Sequence, residues 1–182
     1  MDLLENSKLV LDLLSYSKER EPEYKNCFPN EIVDDVCQVV QDTADEHEIE
    51  LVKDLSPQIG EVAMDPNTAH NCLLNLATNA IDACIFDENI NKKHTVTIKT
   101  SLENHTIRFE ITDTGSGMTE EVQSKLFSSF FSTKGAKGTG LGLLVTKKLI
   151  EEHQGTIDLK SRLNDGTTFI VTLPFKSAEQ ND

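Results

Sequence analysis

Apolar and polar positions follow two different periods along this chain, and the changes of period mark its elements. Leu3, Leu4, Leu9, Val10, Leu13 and Leu14 recur at helical spacing, so about Leu3 to Ser17 reads as a short one-sided helix that needs a partner helix. "KEREPEYKNCFPN" is charged, is broken by Pro22 and Pro29, and reads as a linker. "NEIVDDVCQVVQDTADE" predicts a second amphipathic helix with Asn30 as its cap. "IELVKDL" (Ile49 to Leu55) alternates like a strand, and "SPQIGEVAMD" holds a turn and a short strand ending at Asp65. Pro66, behind an aspartate cap, opens a long apolar helix, "PNTAHNCLLNLATNAIDACIF".

After the polar loop "DENINKKH", the chain returns to period two. "TVTIKTSLENHTIRFEITD" predicts a hairpin turning at Glu103–Asn104, with Ile107, Phe109 and Ile111 on one face and Arg108, Glu110 and Thr112 on the other. "TGSGMTEEVQSKLFSSFFSTKGAKGTG" is rich in Gly and Ser and only partly helical. "LGLLVTKKLIEEHQ" is a helix broken by Gly155, and "GTIDLKSRLNDGTTFIVTLPF" is a hairpin turning at Asn164–Asp165–Gly166. "KSAEQND" is a polar tail. Helix, strand pair, helix, hairpin, long loop, helix and hairpin predict an α+β two-layer sandwich: a mixed sheet with helices on one face. Regular β–α–β alternation is missing, which disfavours a doubly wound sheet.

Composition narrows the function classes. The 182 residues suffice for one domain and a short appendage, and 37% hydrophobic content without Trp gives an aliphatic core. No apolar run approaches the roughly 20 residues of a membrane span, and the N-terminus lacks the pattern of a signal peptide. A net charge of −14 argues against binding a nucleic-acid backbone. Cys27, Cys37, Cys72 and Cys84 show no C-x-x-C spacing, and read as reduced thiols of a cytosolic protein rather than zinc ligands.

Three patterns carry chemistry. Asn75 and Asn79 stand four apart inside the apolar helix, with Asp82 near the same stripe. Buried amides need partners, so the stripe either pairs with neighbouring main chain or faces a ligand. Asp113 ends an amphipathic strand and is followed by Gly115 and Gly117. It is either the start of a D-x-G turn or an acceptor for a flat ring's amino group, which the glycines allow to approach. "KGAKGTGLGL" places Gly135, Gly138, Gly140 and Gly142 at a helix start, where main-chain N–H groups bind anions, with Lys134 and Lys137 alongside. It matches neither the Rossmann nor the Walker A spacing. An amide oxygen from Asn79 suits Mg2+, and Asn75 is a poor general base.

"LLNLATNAIDA", "DTGSGM", "LFSSFFSTK", "GTGLGL" and "GTTFIVTLP" stand in this order at familiar spacing. Together they resemble the N, G1, F, G2 and last-strand motifs of the catalytic ATP-binding domain of sensor histidine kinases, of the superfamily shared with gyrase B, Hsp90 and MutL. The resemblance covers about Asn30 to Phe175. It implies a five-stranded, mostly antiparallel mixed sheet of the Bergerat type, with ATP under a mobile lid. Carried over by position, Asn79 ligates Mg2+, Asn75 lines the triphosphate site, and Asp113 accepts from the adenine amine. Gly117 lies against the adenine beside Gly115 and Met118, Thr167 stands near it, and Asp82 borders the site. Phe127, Phe130 and Phe131 belong to the lid region. Lys134, Lys137, Gly138, Thr139, Gly140, Leu141 and Gly142 surround the phosphates.

The resemblance also implies an organisation: residues 1–18 as the end of a dimerisation-domain helix, 19–29 as linker, 30–175 as ATP-binding domain and 176–182 as tail. Gyrase-type relatives carry glutamate at the Asn75 position, and its absence favours phosphoryl transfer over a dedicated ATPase. The expected acceptor is a histidine on a helical dimerisation domain outside this chain, with a response regulator downstream. Of His47, His70, His94, His105 and His153, only His47 starts like that motif, and it lacks the following proline. A cut fragment and a core acting in trans both fit, with weak dimerisation alone, no membrane contact and a cytoplasmic setting. The competing readings are an ATP-gated interaction module of the gyrase/Hsp90 type and a degenerate regulator that binds nothing.

Overall fold

Strand β5 (Thr106–Asp113) is the central strand of the fold, and every second residue of it is buried. In the computed structural model, residues 21–89, 91–127 and 141–177 are described. The expected helix from Leu3 to Ser17, and the lid and glycine-run residues Phe130, Phe131, Lys134, Lys137, Gly138, Thr139 and Gly140, lie outside them.

The main sheet has the order β2 (Glu50–Leu55), β4 (Thr95–Glu103), β5, β7 (Gly166–Pro174), β6 (Thr156–Arg162). β2 runs parallel to β4, and the remaining neighbours are antiparallel. The sheet is therefore five-stranded, mixed and mostly antiparallel, as expected. Ile107, Phe109 and Ile111 are fully buried with Val96 and Ile98 of β4 and Val171 and Leu173 of β7. Arg108, Glu110 and Thr112 point the other way, as the alternation predicts.

Helices α1 (Pro29–Glu46), α2 (Pro66–Ile85) and α4 (Gly142–Glu152) supply the rest of the core, with Val33, Val36, Leu73, Leu76, Ile81 and Ile150 buried. A short helix, α3 (Glu120–Lys125), is capped by the Thr119 hydroxyl, which accepts from Val122 N at 3.3 Å. Asp65 caps α2 as expected, accepting from Thr68 N at 3.0 Å.

Several local expectations are corrected. The presumed linker contains a strand, β1 (Lys25–Cys27), and the polar tail begins with another, β8 (Lys176–Ser177). Both pair antiparallel with β3 (Val62–Met64) in a second, three-stranded sheet. β2 and β3 consequently do not form a pair. The polar sequences of β1 and β8 carry no strand signal; ladder bonding to the fully buried β3 overrides propensity. Asn30 does not cap α1, because Pro29 takes the first helical position and moves the cap to Phe28. The Asn30 amide instead donates to Ser56 O and accepts from the Thr100 hydroxyl, both at 2.9 Å. The β4–β5 turn falls at Asn104–His105, with Asn104 left-handed at φ 53°.

Candidate functional site

The site begins on α2, whose apolar side is buried in the core while Asn75, Asn79 and Asp82 are half-buried. Asn75 meets α4: its Nδ2 donates to the hydroxyl of Thr146 at 2.8 Å. Thr146 is buried at 3% exposure. Gly142 opens α4 beside the same amide, and a Cβ there would stand 2.9 Å from Asn75 Oδ1. At Asn75 the polar stripe thus meets a side-chain hydroxyl rather than main chain. Thr146 gave no signal in the sequence, because nothing local marks a helical threonine as the partner of an amide 71 residues away.

The strand-end carboxylate is deeply placed. Asp113 is 3% exposed and pairs in register with Thr167 of β7. Its Oδ1 accepts from Gly115 N at 2.8 Å, which makes the D-x-G turn real. Burial pushes its pKa up to about 6, against the main-chain hydrogen bonds of Gly115 and Thr167 and the charge of Lys92. Thr167 shares a hydrogen bond with Ser161 across the β6–β7 pair at 2.9 Å.

The glycines after Asp113 have a packing reason within the fold itself. A Cβ on Gly115 would overlap the Ala83 carbonyl of α2, and one on Gly117 would overlap the Arg162 carbonyl of β6. Both glycines let the loop close against the protein's own main chain. Gly117 also adopts φ 62°, a left-handed conformation that a side chain disfavours. The loop is stitched by Ser116 N donating to Ala83 O at 3.3 Å and Asn164 N donating to Ser116 O at 2.7 Å. Met118 follows, half-buried against the core.

Asp113 and its loop therefore sit at the Ala83 end of α2, and Asn75 with Gly142 sits about two turns earlier. The intervening eight residues span roughly 12 Å of helix. Asn79 lies between. Leu141 is buried just before α4, while Phe127 packs partly into the core with Lys147 over its ring, 5.3 Å from the centroid. Gln123 of α3 went unremarked in the sequence; its Nε2 donates to Met118 O at 2.9 Å and Ser161 O at 3.0 Å, tying α3 to the loop and to β6. Lys92, in the polar loop after α2, was equally silent.

The remaining groups fit structural roles. All four cysteines are free, and burial pushes the Cys72 and Cys84 thiols up to about 12, so neither is a nucleophile. His47 caps the end of α1, its Nδ1 donating to Thr43 O at 3.0 Å, and leads into a turn and β2. His153 is buried at the end of α4, with Nε2 3.4 Å from Asp65 Oδ2. Among the described residues, no helix is long and apolar enough to cross a membrane.

The chain belongs to the family of histidine kinase-, DNA gyrase B- and HSP90-like ATPases, whose model matches residues 64–177. Its relatives are sensor histidine kinases. The sensor histidine kinase ZraS of Klebsiella oxytoca is 30% identical over 177 residues, 97% of this chain and 37% of the relative. Among solved structures, the nucleotide-free catalytic domain of histidine kinase ThkA superposes with a TM-score of 0.72 at 28% identity, covering 85% of this chain and 97% of that domain. Full-length ShkA in complex with AMPPNP shares the fold, with a TM-score of 0.83 at 24% identity over 96% of this chain and 37% of that one. The chain spans 22% to 37% of the first curated relatives it matches.

Proposed function

We propose that this chain is the ATP-binding catalytic module of a sensor histidine kinase, and that it directs the γ-phosphoryl group of ATP to a histidine on a separate helical dimerisation domain. The observation that carries this reading is the arrangement along α2. A buried carboxylate at the end of β5 stands at one end of the helix, an amide beside the first residue of α4 stands two turns away, and Asn79 lies between them. An extended nucleotide can lie along that line, with its amino group toward Asp113 and its phosphates toward the N-terminus of α4, where main-chain N–H groups favour anions. Met118 and Thr167 border the purine end. Asn79, Leu141 and Gly142 border the phosphate end, to which the motifs alone assign residues 134–140, while Asp82, next to Ala83, lies toward the purine end. The AMPPNP held by ShkA agrees with this choice of ligand.

Mg2+ fits the same residues. Among the described residues, no cluster of three or more His, Cys, Asp or Glu side chains forms a metal cage. Asn79, an uncharged hard oxygen donor, suits an ion that keeps most of its ligands from phosphate oxygens and water. When bound, such an ion neutralises charge on the phosphates. Asn75, bound through Nδ2 to Thr146, does not act as a proton acceptor; its part is to hold the phosphate end in place.

The partners proposed are the phosphoacceptor helices and, downstream, a response regulator, in a cytoplasmic setting. Residues 1–18 would be the end of a dimerisation helix, with the ATP-binding domain following. A calorimetric titration with an ATP analogue, with and without Mg2+, tests the site. Incubation with ATP and a phosphoacceptor helical hairpin then tests the transfer. Mg2+-dependent binding followed by acid-labile histidine phosphorylation is expected; no binding, or binding without transfer, counts against the kinase reading. Hydrolysis to ADP without an acceptor would favour the gyrase/Hsp90-type alternative.

A further inference from the structure

We propose, on the reading of this cleft as an adenine-nucleotide site, that Lys92 is a positioning residue for the purine end: its ammonium clamps the loop after Asp113 to the β6–β7 turn and so fixes where the Asp113 carboxylate stands. Lys92 lies in the loop between α2 and β4, outside every motif of the family. Its Nζ is 3.1 Å from Gly115 O, 3.1 Å from Asn164 O and 3.4 Å from Asp87 Oδ2. An ammonium has three donors and no acceptor, so these three partners, from three separate chain segments, use its whole capacity. The side chain is only 22% exposed and that of Asp87 6%.

The clamp is itself braced. Lys92 N donates to Asn89 O at 3.0 Å, and Asn89 N donates to Asp87 Oδ1 at 3.0 Å, closing the loop that carries both charges. The Asn89 N–H, opposed by burial and helped by Lys92 and His94, holds the Asp87 carboxyl below its usual range. His94 Nε2 lies 3.9 Å from the same Asp87 oxygen. The two carbonyls that Lys92 draws together belong to Gly115, whose N–H binds Asp113, and to Asn164, whose N–H binds Ser116. Pulling one ammonium out therefore loosens the Asp113 turn on both sides. Among the described residues, Cys84 from α2 and Lys92 from this loop interact electrostatically with Asp113. Lys92 favours the ionised carboxylate, the form that accepts from a purine amine.

A purely structural clamp and a positioning residue predict different readouts. In Lys92→Gln, affinity for ADP at pH 8 should fall on the order of tenfold, the worth of one charge-assisted hydrogen bond. Affinity for inorganic tripolyphosphate should stay unchanged, and the acid limb of the ADP affinity profile should move to higher pH. Lys92→Arg, which keeps the charge, should return that limb to the wild-type position. A folded Lys92→Gln protein with wild-type ADP affinity and acid limb, or with equal losses for ADP and tripolyphosphate, overturns the proposal. Wild-type protein that binds no adenine nucleotide instead defeats the reading of the cleft. Should Lys92→Gln fail to fold, NMR of the side-chain ammonium groups of the wild-type protein decides: a slowly exchanging, hydrogen-bonded Nζ signal lost in Lys92→Arg is expected, and its absence overturns the clamp.

Discussion

Asn75 of α2 donates its amide to the hydroxyl of Thr146 on α4 at 2.8 Å, across 71 residues of sequence. Helices α2 and α4 are thereby joined through the residue that the sequence marks as a ligand candidate. The fold itself thus fixes the orientation of the amide.

Thr146→Val removes that acceptor while keeping the shape. Stability should fall by about 1 kcal/mol, because Nδ2 loses its bond at a half-buried site. Mg2+-ATP affinity should fall with it, as Asn75 gains freedom. Gly142→Ala should reach the same end by a different route, since its Cβ would stand 2.9 Å from Asn75 Oδ1 and turn the amide away. Urea denaturation and nucleotide titration of the two variants measure both effects.

The raised pKa of Asp113 makes a signed prediction. The group binds a proton more tightly folded, at about 6, than unfolded, near the ordinary carboxylate value. Its contribution to stability is therefore complete below the unfolded pKa and is lost as pH rises through about 6. The loss is on the order of 3 kcal/mol for a shift of this size. Asp113→Asn, which cannot ionise, should hold or gain thermal stability at pH 8 while binding adenine nucleotides far more weakly than it binds tripolyphosphate. In the wild type, adenine-nucleotide affinity should decline as pH falls below about 6. Equal loss of adenine nucleotide and tripolyphosphate in the variant would count against the role assigned to Asp113.

Gly117→Ala tests the packing reason for the glycine loop. The substitution meets a left-handed backbone at φ 62° and the Arg162 carbonyl together. The conformation alone costs roughly 1–2 kcal/mol, and the overlap adds to it. Thermal melting should show a clear loss of stability with no nucleotide present. A loss seen only in nucleotide affinity would mean that the glycine clears space for the ligand after all.

Asp65 links three elements. Its carboxylate accepts from Thr68 N at 3.0 Å and Glu23 N at 3.1 Å, and it faces His153 at 3.4 Å. Burial alone would raise its pKa, but these hydrogen bonds and the His153 charge outweigh that and hold it below the usual carboxylate range. The stability it supplies is thus present above the unfolded pKa and lost as pH falls through the lower folded value. Asp65→Ala should cost about 1–2 kcal/mol at pH 7, the worth of a helix cap, and much less in strong acid. Urea midpoints at the two pH values check the sign.

The periodicities of the chain were enough to place the main strands and helices, because alternation and helical spacing follow from backbone geometry that each segment carries alone. The buried face of β5 and the Asp65 cap of α2 were legible for that reason. The second sheet was not: β1 and β8 are polar, and only their pairing with the buried β3 makes them strands. Asn30 shows the same limit at a single residue, where proline geometry moved the cap and left the amide to bridge β2 and β4 regions.

By itself the sequence determined the class of fold, the buried faces, and the residue types that the proposed nucleotide site calls on. Tertiary structure alone decided that Thr146 orients Asn75, that Gly115 and Gly117 close against main chain, and that Lys92 gathers three segments around the Asp113 loop. The physical reason is range. Periodicity and capping act over a few residues, whereas a hydroxyl or an ammonium gains its partners only when packing brings distant segments within 3 to 4 Å of it.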